Sequence, residues 1–266
     1  MHGREPNQMT AKELPASITG LGRIGTRGES GLHPVYESLA CFSCAARKSD
    51  ICGGLDNNEI RELASSSHRV QLRPGETLVW DGDAAQYAYV ITRGALRAQK
   101  ASDDGRRQIL DFLFAGQFIG MPSGTTYSFD AEALTDAEVC RFDRRKLEDL
   151  MARHPAVEKG YRSGTARQLE TAYDHAYSLG RRTAMERVAA FLLDLHASSC
   201  PKTTTGTLKL PMTRSDIADF LGLTLETVSR AFSRVKSLGV IRLPSAHEVE
   251  IRDIERLKAL AATRSL

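Results

Sequence analysis

The sequence predicts an α+β chain made of an antiparallel β-roll, a long helix and a C-terminal winged helix-turn-helix. Three observations carry that class. Between His68 and Phe142, short runs of β-branched and aromatic residues alternate with glycine turns at RPGE, WDGD, TRGA, DDGR and FAGQ. From Val157 a stretch without proline carries apolar residues at helical spacing. Between Thr213 and Leu243 two capped helical patterns flank Gly222 and lead into a hairpin pattern.

In chain order, residues 1–36 mix Gly, Pro, Ser and charge without apolar periodicity, so a disordered extension is expected. Residues 37–150 hold the stretch CFSCAARKSDIC and then the β-roll, whose strand runs are HRVQL, TLVW, YAYVIT, QILDFLF and AEVCRF. Strands this short between glycine turns pair as an antiparallel sandwich or roll. RRKLEDLMARH is a short amphipathic helix that must stop before Pro155. Residues 151–180 are then expected to form a dimerisation helix. Val157, Tyr161, Leu169, Ala172 and Ala176 form its apolar stripe, which lacks an evident partner within the chain. Residues 181–266 make the last domain, with RRTAMERVAAFLLDLHASS as its first helix after a break at Gly180.

The chain has 266 residues and a net charge of +3, mildly basic, which permits a polyanionic partner without requiring one. No apolar run approaches a membrane span, and the start MHGREPNQMTAKELP has no apolar core of a leader, so a cytoplasmic protein is expected. Five cysteines in that reducing compartment point to metal or redox chemistry rather than to a disulfide scaffold. No P-loop, nucleophile elbow or histidine-carboxylate metal motif is present, and no enzyme is expected.

The helix-turn-helix has a chemical reading. Thr213 and Asp216 have capping-box spacing, Gly222 suits the turn and Thr224 suits the cap of the second helix. Leu225, Val228, Phe232 and Val235 are expected to be the buried stripe, which leaves Glu226, Ser229 and Arg230 together on another face. Such a helix fits the major groove, where Arg bonds guanine, Glu accepts from cytosine and Ser meets either edge. Thr224, Arg214, Arg234 and Lys236 are the expected backbone contacts. A solvated helix face is the plain alternative for such a triplet; the two caps and the glycine turn favour base reading.

With RPGETLVWDGD, ITRGALRA, AGQFIG, TRSDIADFLGLTLETVSR and the final hairpin in these places, the chain resembles the Crp/Fnr family of dimeric bacterial transcription regulators over residues 40 to 262. The resemblance implies a β-roll like that of cyclic-nucleotide-binding domains, a homodimer, double-stranded DNA with inverted repeats, and contact with RNA polymerase. ETVSR is similar to the recognition helix of the fumarate-nitrate regulator branch, which implies base reading by Glu226, Ser229 and Arg230 at TTGAT-like half-sites.

By themselves the cysteines leave alternatives open. A C-x2-C pair with a third thiol further on is too open for a zinc finger, and four thiolates are the usual set for an iron-sulfur cluster. The fourth is either Cys140, in AEVCRF, or Cys200, in ASSCPK. The resemblance decides between them. Oxygen-sensing members of that branch hold a [4Fe-4S] cluster on three N-terminal cysteines and one in the β-roll, which implies Cys41, Cys44, Cys52 and Cys140 as ligands and Cys200 as a bystander. The gap between the second and third thiols resembles the rhizobial FnrN type. Arg47, Lys48 and Arg141 are expected to offset the cluster's charge. A zinc clasp or a thiol switch is the alternative. The resemblance also argues against a cyclic nucleotide. Met121 stands where the acid for the ribose would be, and Tyr127-Ser128 where an Arg-Ser pair would hold the phosphate.

Overall fold

The computed structural model describes residues 41, 44–48, 50–120, 124–198 and 207–262. The expected N-terminal extension, Met121 and Cys200 lie outside the described residues.

A 3-10 turn at Ala45–Lys48 leads to the short helix α1 (Asp50–Gly53) and to α2 (Asn57–Ser65). Asp56 starts α2 with a full capping box: its side chain accepts from the Asn58 and Glu59 backbone N–H groups, and the Glu59 carboxylate accepts from the Asp56 backbone N–H. The sequence patterns above predict no helix here. The apolar residues Ile60, Leu63 and Ala64 are the ones it buries.

Eight strands follow: β1 (Ser67–Leu72), β2 (Thr77–Val79), β3 (Tyr87–Arg93), β4 (Ala95–Ala101), β5 (Arg107–Phe114), β6 (Phe118–Ile119), β7 (Asp130–Ala133) and β8 (Ala137–Asp143). They form two antiparallel sheets ordered β1-β8-β3-β6 and β2-β7-β4-β5. Tyr89, Ile91 and Val139 face the other sheet, where Leu96, Leu113 and Ala131 complete the core. Strand alternation turns Ala88, Val90, Cys140 and Phe142 to the opposite face. That outer face is covered by Ala46, Ile51, Leu55, Ile60 and Leu63. Burial on both sides is why YAYVIT is continuously apolar rather than alternating. Gly94 closes the β3–β4 turn at φ +88°, where a Cβ would stand 2.5 Å from the Asp136 carbonyl oxygen, so no other residue fits.

Two helices lie beyond the roll: α3 (Arg144–Arg153) and α4 (Pro155–Arg181). Pro155 starts α4, where its missing N–H costs nothing. The expected break at Gly180 is corrected: α4 runs through it and ends at Arg181, with Arg182 as its extended cap. Thr183 and Glu186 then exchange cap bonds that start α5 (Ala184–Ser198).

The last part comprises β9 (Thr207–Lys209), α6 (Arg214–Leu221), α7 (Leu225–Ser237), β10 (Ile241–Ser245), β11 (Glu248–Ile251) and α8 (Ile254–Ala262). The hairpin read from the sequence is β10–β11, and β9 adds a third strand to it. Val188, Leu192, Ile217, Val228, Phe232 and Val235 form the core here, together with Ile109 and Phe112 of β5. The roll therefore shares apolar surface with the helix-turn-helix.

Candidate functional site

Cys41, Cys44, Cys52 and Cys140 line one narrow cavity together with Ala46, Ile60, Val90 and Phe142. Cys140 reaches it from the middle of β8, paired with Arg69 of β1 and Val90 of β3. The Cys44 N–H donates to the Cys41 carbonyl at 3.3 Å, and the Arg47 N–H donates to the Cys44 carbonyl at 3.0 Å. Arg47 folds the rest of the segment: its guanidinium donates to the carbonyls of Cys52 and Leu55, both at 2.8 Å. One side chain thereby ties the start of the segment to its end.

None of the four forms a disulfide. Burial pushes the Cys52 thiol up to about 12; Cys44 and Cys41 add to the rise, and Arg47 opposes it. Burial likewise raises Cys140, followed by repulsion from Cys41, with Arg69 opposing. Four thiolates will not collect here without a cationic centre to compensate them, which is the condition under which metal displaces thiol protons. The donor set suits a group ligated by four thiolates. The cavity holds about 20 Å³, room for one water, so a polynuclear group requires the Cys41–Cys52 segment to move outward. Among the described residues, no group of three or more His, Cys, Asp and Glu stands close enough together to hold a metal ion.

Of the expected counter-charges, Arg47 is in place, and the side chain of Lys48 lies outside what is described. Arg141 is not in place: as the neighbour of Cys140 it takes the other face of β8, where its guanidinium sits 4.8 Å from the Tyr87 ring centre. Arg69 takes that role instead, held at 2.9 Å by Glu138. The antiparallel register, which composition does not reveal, is the signal that would have found it.

The second candidate surface is α7. Thr224 caps it by accepting from the Thr227 N–H at 3.2 Å. Glu226, Ser229 and Arg230 are all exposed on one side, and Arg230 is ion-paired to Glu226 one turn away. Val228, Phe232 and Val235 are buried as expected, but Leu225 is 52% exposed. The stripe begins one turn later because Leu225 opens the helix beyond the reach of α6. Arg234 and Lys236 are exposed. Arg214 is half-buried with its guanidinium 3.6 Å from the Phe232 ring centre, and its Nη1 has no hydrogen-bond partner. The Arg214 side chain thus braces the two helices of the motif against each other.

The apolar stripe of α4 divides in two. Val157 is fully buried and Tyr161 packs at 5.2 Å on Phe118, both within the protomer's own core. Leu169, Ala172 and Ala176 are exposed, joined by Tyr173 and Tyr177. Counting i, i+4 and i+7 from Leu169 selects Tyr173 and Ala176, and that count would have found the tyrosine.

A separate cavity of about 290 Å³ lies between the roll and α4, lined by Phe118, Ile119, Tyr127, Ser128, Tyr161 and Gln168 among others. The Tyr127 hydroxyl donates to the Tyr87 carbonyl at 2.8 Å. Its lining among the described residues carries no Lys or Arg.

Comparison with known proteins gives two family models, a cyclic nucleotide-binding domain over residues 69–154 and a Crp-like helix-turn-helix domain over residues 186–260. The nitrogen fixation regulation protein FixK of Bradyrhizobium diazoefficiens is 38% identical over 84% of this chain and 94% of its own length. The transcriptional activator protein FnrL of Cereibacter sphaeroides is 34% identical over 85% of this chain and 94% of its own. The solved structure of FixK2 from Bradyrhizobium japonicum superposes with a TM-score of 0.70 at 38% identity, covering 75% of this chain and 99% of that one.

Proposed function

Because the chain belongs to the Crp/Fnr family of dimeric, DNA-binding transcription regulators, we propose that it is an oxygen-responsive regulator, mainly an activator, of anaerobic or microaerobic genes. In this reading Cys41, Cys44, Cys52 and Cys140 hold a [4Fe-4S] cluster, while Glu226, Ser229 and Arg230 read TTGAT-N4-ATCAA-like inverted repeats. The observation that carries it is the meeting of three segment thiols with Cys140 on the outer face of the roll, beside the root of α4.

Such a cluster supplies an oxygen-labile cross-link between its protein ligands. The rest belongs to the chain. With its thiols tied to β8, the Cys41–Cys52 segment holds Ile51 and Leu55 on the apolar surface that also receives Val157. That contact steadies α4 so that Leu169, Tyr173 and Ala176 can pair with a second copy. Pairing then presents two α7 helices about one DNA turn apart. Once the cross-link is lost, the segment keeps Arg47 and its apolar residues as anchors but loses its tie to β8, and the equilibrium moves toward chains that engage one half-site. The bound dimer recruits RNA polymerase. FnrL, a relative by sequence, is named a transcriptional activator. Burial raises Cys52 and Cys140, which disfavours those two as the low-pKa thiols of a switch.

The test is anaerobic purification with iron, acid-labile sulfide and zinc assayed, and with the visible spectrum and binding to the inverted repeat followed as air is admitted. About four irons and four sulfides per chain, with absorbance and DNA binding lost together in air, are expected. Zinc alone, or no metal, would overturn the cluster and leave the DNA-binding dimer in place.

A further inference from the structure

The first helix of the motif, α6, is fastened to the roll by charge. Arg97 of β4 donates to Asp216 at 2.7 Å, and Arg107 of β5 donates to the same oxygen at 2.9 Å. Arg107 also reaches Asp219, its Nε donating at 2.9 Å. Behind them Glu132 of β7 holds Arg97 at 2.9 Å, so acid and base alternate from the sheet into the helix. At the far end of α6, Gln108 donates to the Phe220 carbonyl at 3.2 Å. The Asp216 side chain is 4% exposed, and it also serves as the capping-box acid of Thr213. Burial draws its carboxyl up, but bonds from Thr213 and the two guanidiniums outweigh this and hold it below the usual range.

None of this is needed to fold a helix-turn-helix, since Thr213 and the apolar core already do that. It fixes where the motif sits. α6 and α7 are joined through Gly222, held in the left-handed region at φ +61°, with Ile217 and Phe232 in one core. Any rotation of α6 therefore carries α7 with it.

We propose that Arg97 and Arg107 are positioning residues for DNA recognition: by gripping Asp216 and Asp219 they set the angle at which the roll presents α7, and hence the separation between the two half-sites a dimer accepts. The pairs lie far from the base-reading face, so removing them leaves the code of each half-site intact and loosens the spacing. A dimer whose two reading heads can swivel tolerates a spacer that a rigid one rejects.

The inference rests on the chain's being a DNA-binding dimer and not on its cofactor. The experiment measures affinity for inverted repeats with the best spacer and with one base pair inserted or removed, using full-length protein in the form in which the unaltered chain binds. Asp219→Asn and Arg107→Gln are expected to lower the discrimination between spacers on the order of tenfold, the scale of coupling in one ion-pair network. Preference among half-site sequences and metal content should not change. Arg107→Lys, which keeps a positive charge between Asp216 and Asp219, should retain the discrimination. Should Arg107→Gln not fold, Asp219→Asn alone carries the test, because it removes only the outer pair. Unchanged spacer discrimination in folded Asp219→Asn or Arg107→Gln would overturn the assignment. Failure of the unaltered chain to bind any repeat would instead overturn the DNA-binding reading.

Discussion

Ile51 and Val157 are buried in the same apolar cluster, which brings the residue beside Cys52 onto the root of the 27-residue helix α4. Each such burial contributes about 1.5 to 3 kcal/mol, so the position of the cysteine segment and the stability of the start of α4 are linked through packing. Cys52 packs against the same cluster as its neighbour Ile51, so both residues carry that link.

Cys140→Ala should lose iron and sulfide when purified anaerobically, while Cys200→Ala should keep both. Cys140 shares the cavity with the other three thiols. Metal analysis of the two variants side by side checks this, and the reverse pattern would move the fourth ligand to Cys200.

Arg230→Ala should cost roughly 1 to 3 kcal/mol on the preferred site and relax selectivity at its guanine. In the free protein Arg230 is engaged with Glu226, so Glu226→Ala should free the guanidinium and alter selectivity at the neighbouring position as well. Competition binding with half-site variants reads both changes.

The two halves of the α4 stripe should respond differently. Leu169→Glu changes an exposed side chain and should give a folded monomer by light scattering, with its melting temperature little changed. Val157→Ala empties a fully buried position and should cost about 1 to 3 kcal/mol in denaturant unfolding, with the dimer weakened only as a consequence.

Asp111 supplies a pH signature. Burial, and to a lesser extent Asp194, raise its carboxyl to about 7, against the backbone bond from Phe112. The unfolded chain loses this proton near pH 4 and the folded chain keeps it to about 7, so stability is full below pH 4 and falls as the pH rises toward 7. Asp111→Asn, which can still accept from Phe112, should remove that loss. Discounted for the residue's partial exposure, the gain at pH 8 should be on the order of 1 to 3 kcal/mol, with none at pH 4. Equal gains at the two pH values in denaturant titrations would refute the assignment.

Much was legible in the sequence because the signals are local. Glycine turns and β-branched runs marked the roll, Thr213, Asp216, Gly222 and Thr224 marked the helix-turn-helix, and the helical repeat set Glu226, Ser229 and Arg230 apart from Val228, Phe232 and Val235. Each depends on residues within one or two turns of one another. Strands such as β6 and β7 went unread because they are short and gain their hydrogen bonds from distant partners.

Only the tertiary structure decided which residues of one element face which others. It put Arg69 rather than Arg141 beside the thiols, because strand register fixes the face and pairing is non-local. It divided the α4 stripe between the protomer's own core and its surface, because Val157 and Tyr161 lie on the face that packs on the roll, whereas Leu169, Tyr173 and Tyr177 lie on the exposed face. It also gave Asp216 its second partner set, since Arg97 and Arg107 lie more than a hundred residues away and no local pattern could pair them. The sequence by itself determined the roll, the helix-turn-helix with its caps and the polar exposed face of α7; the contacts between elements depended on the packed chain, because burial and charge pairing act through space rather than along the backbone.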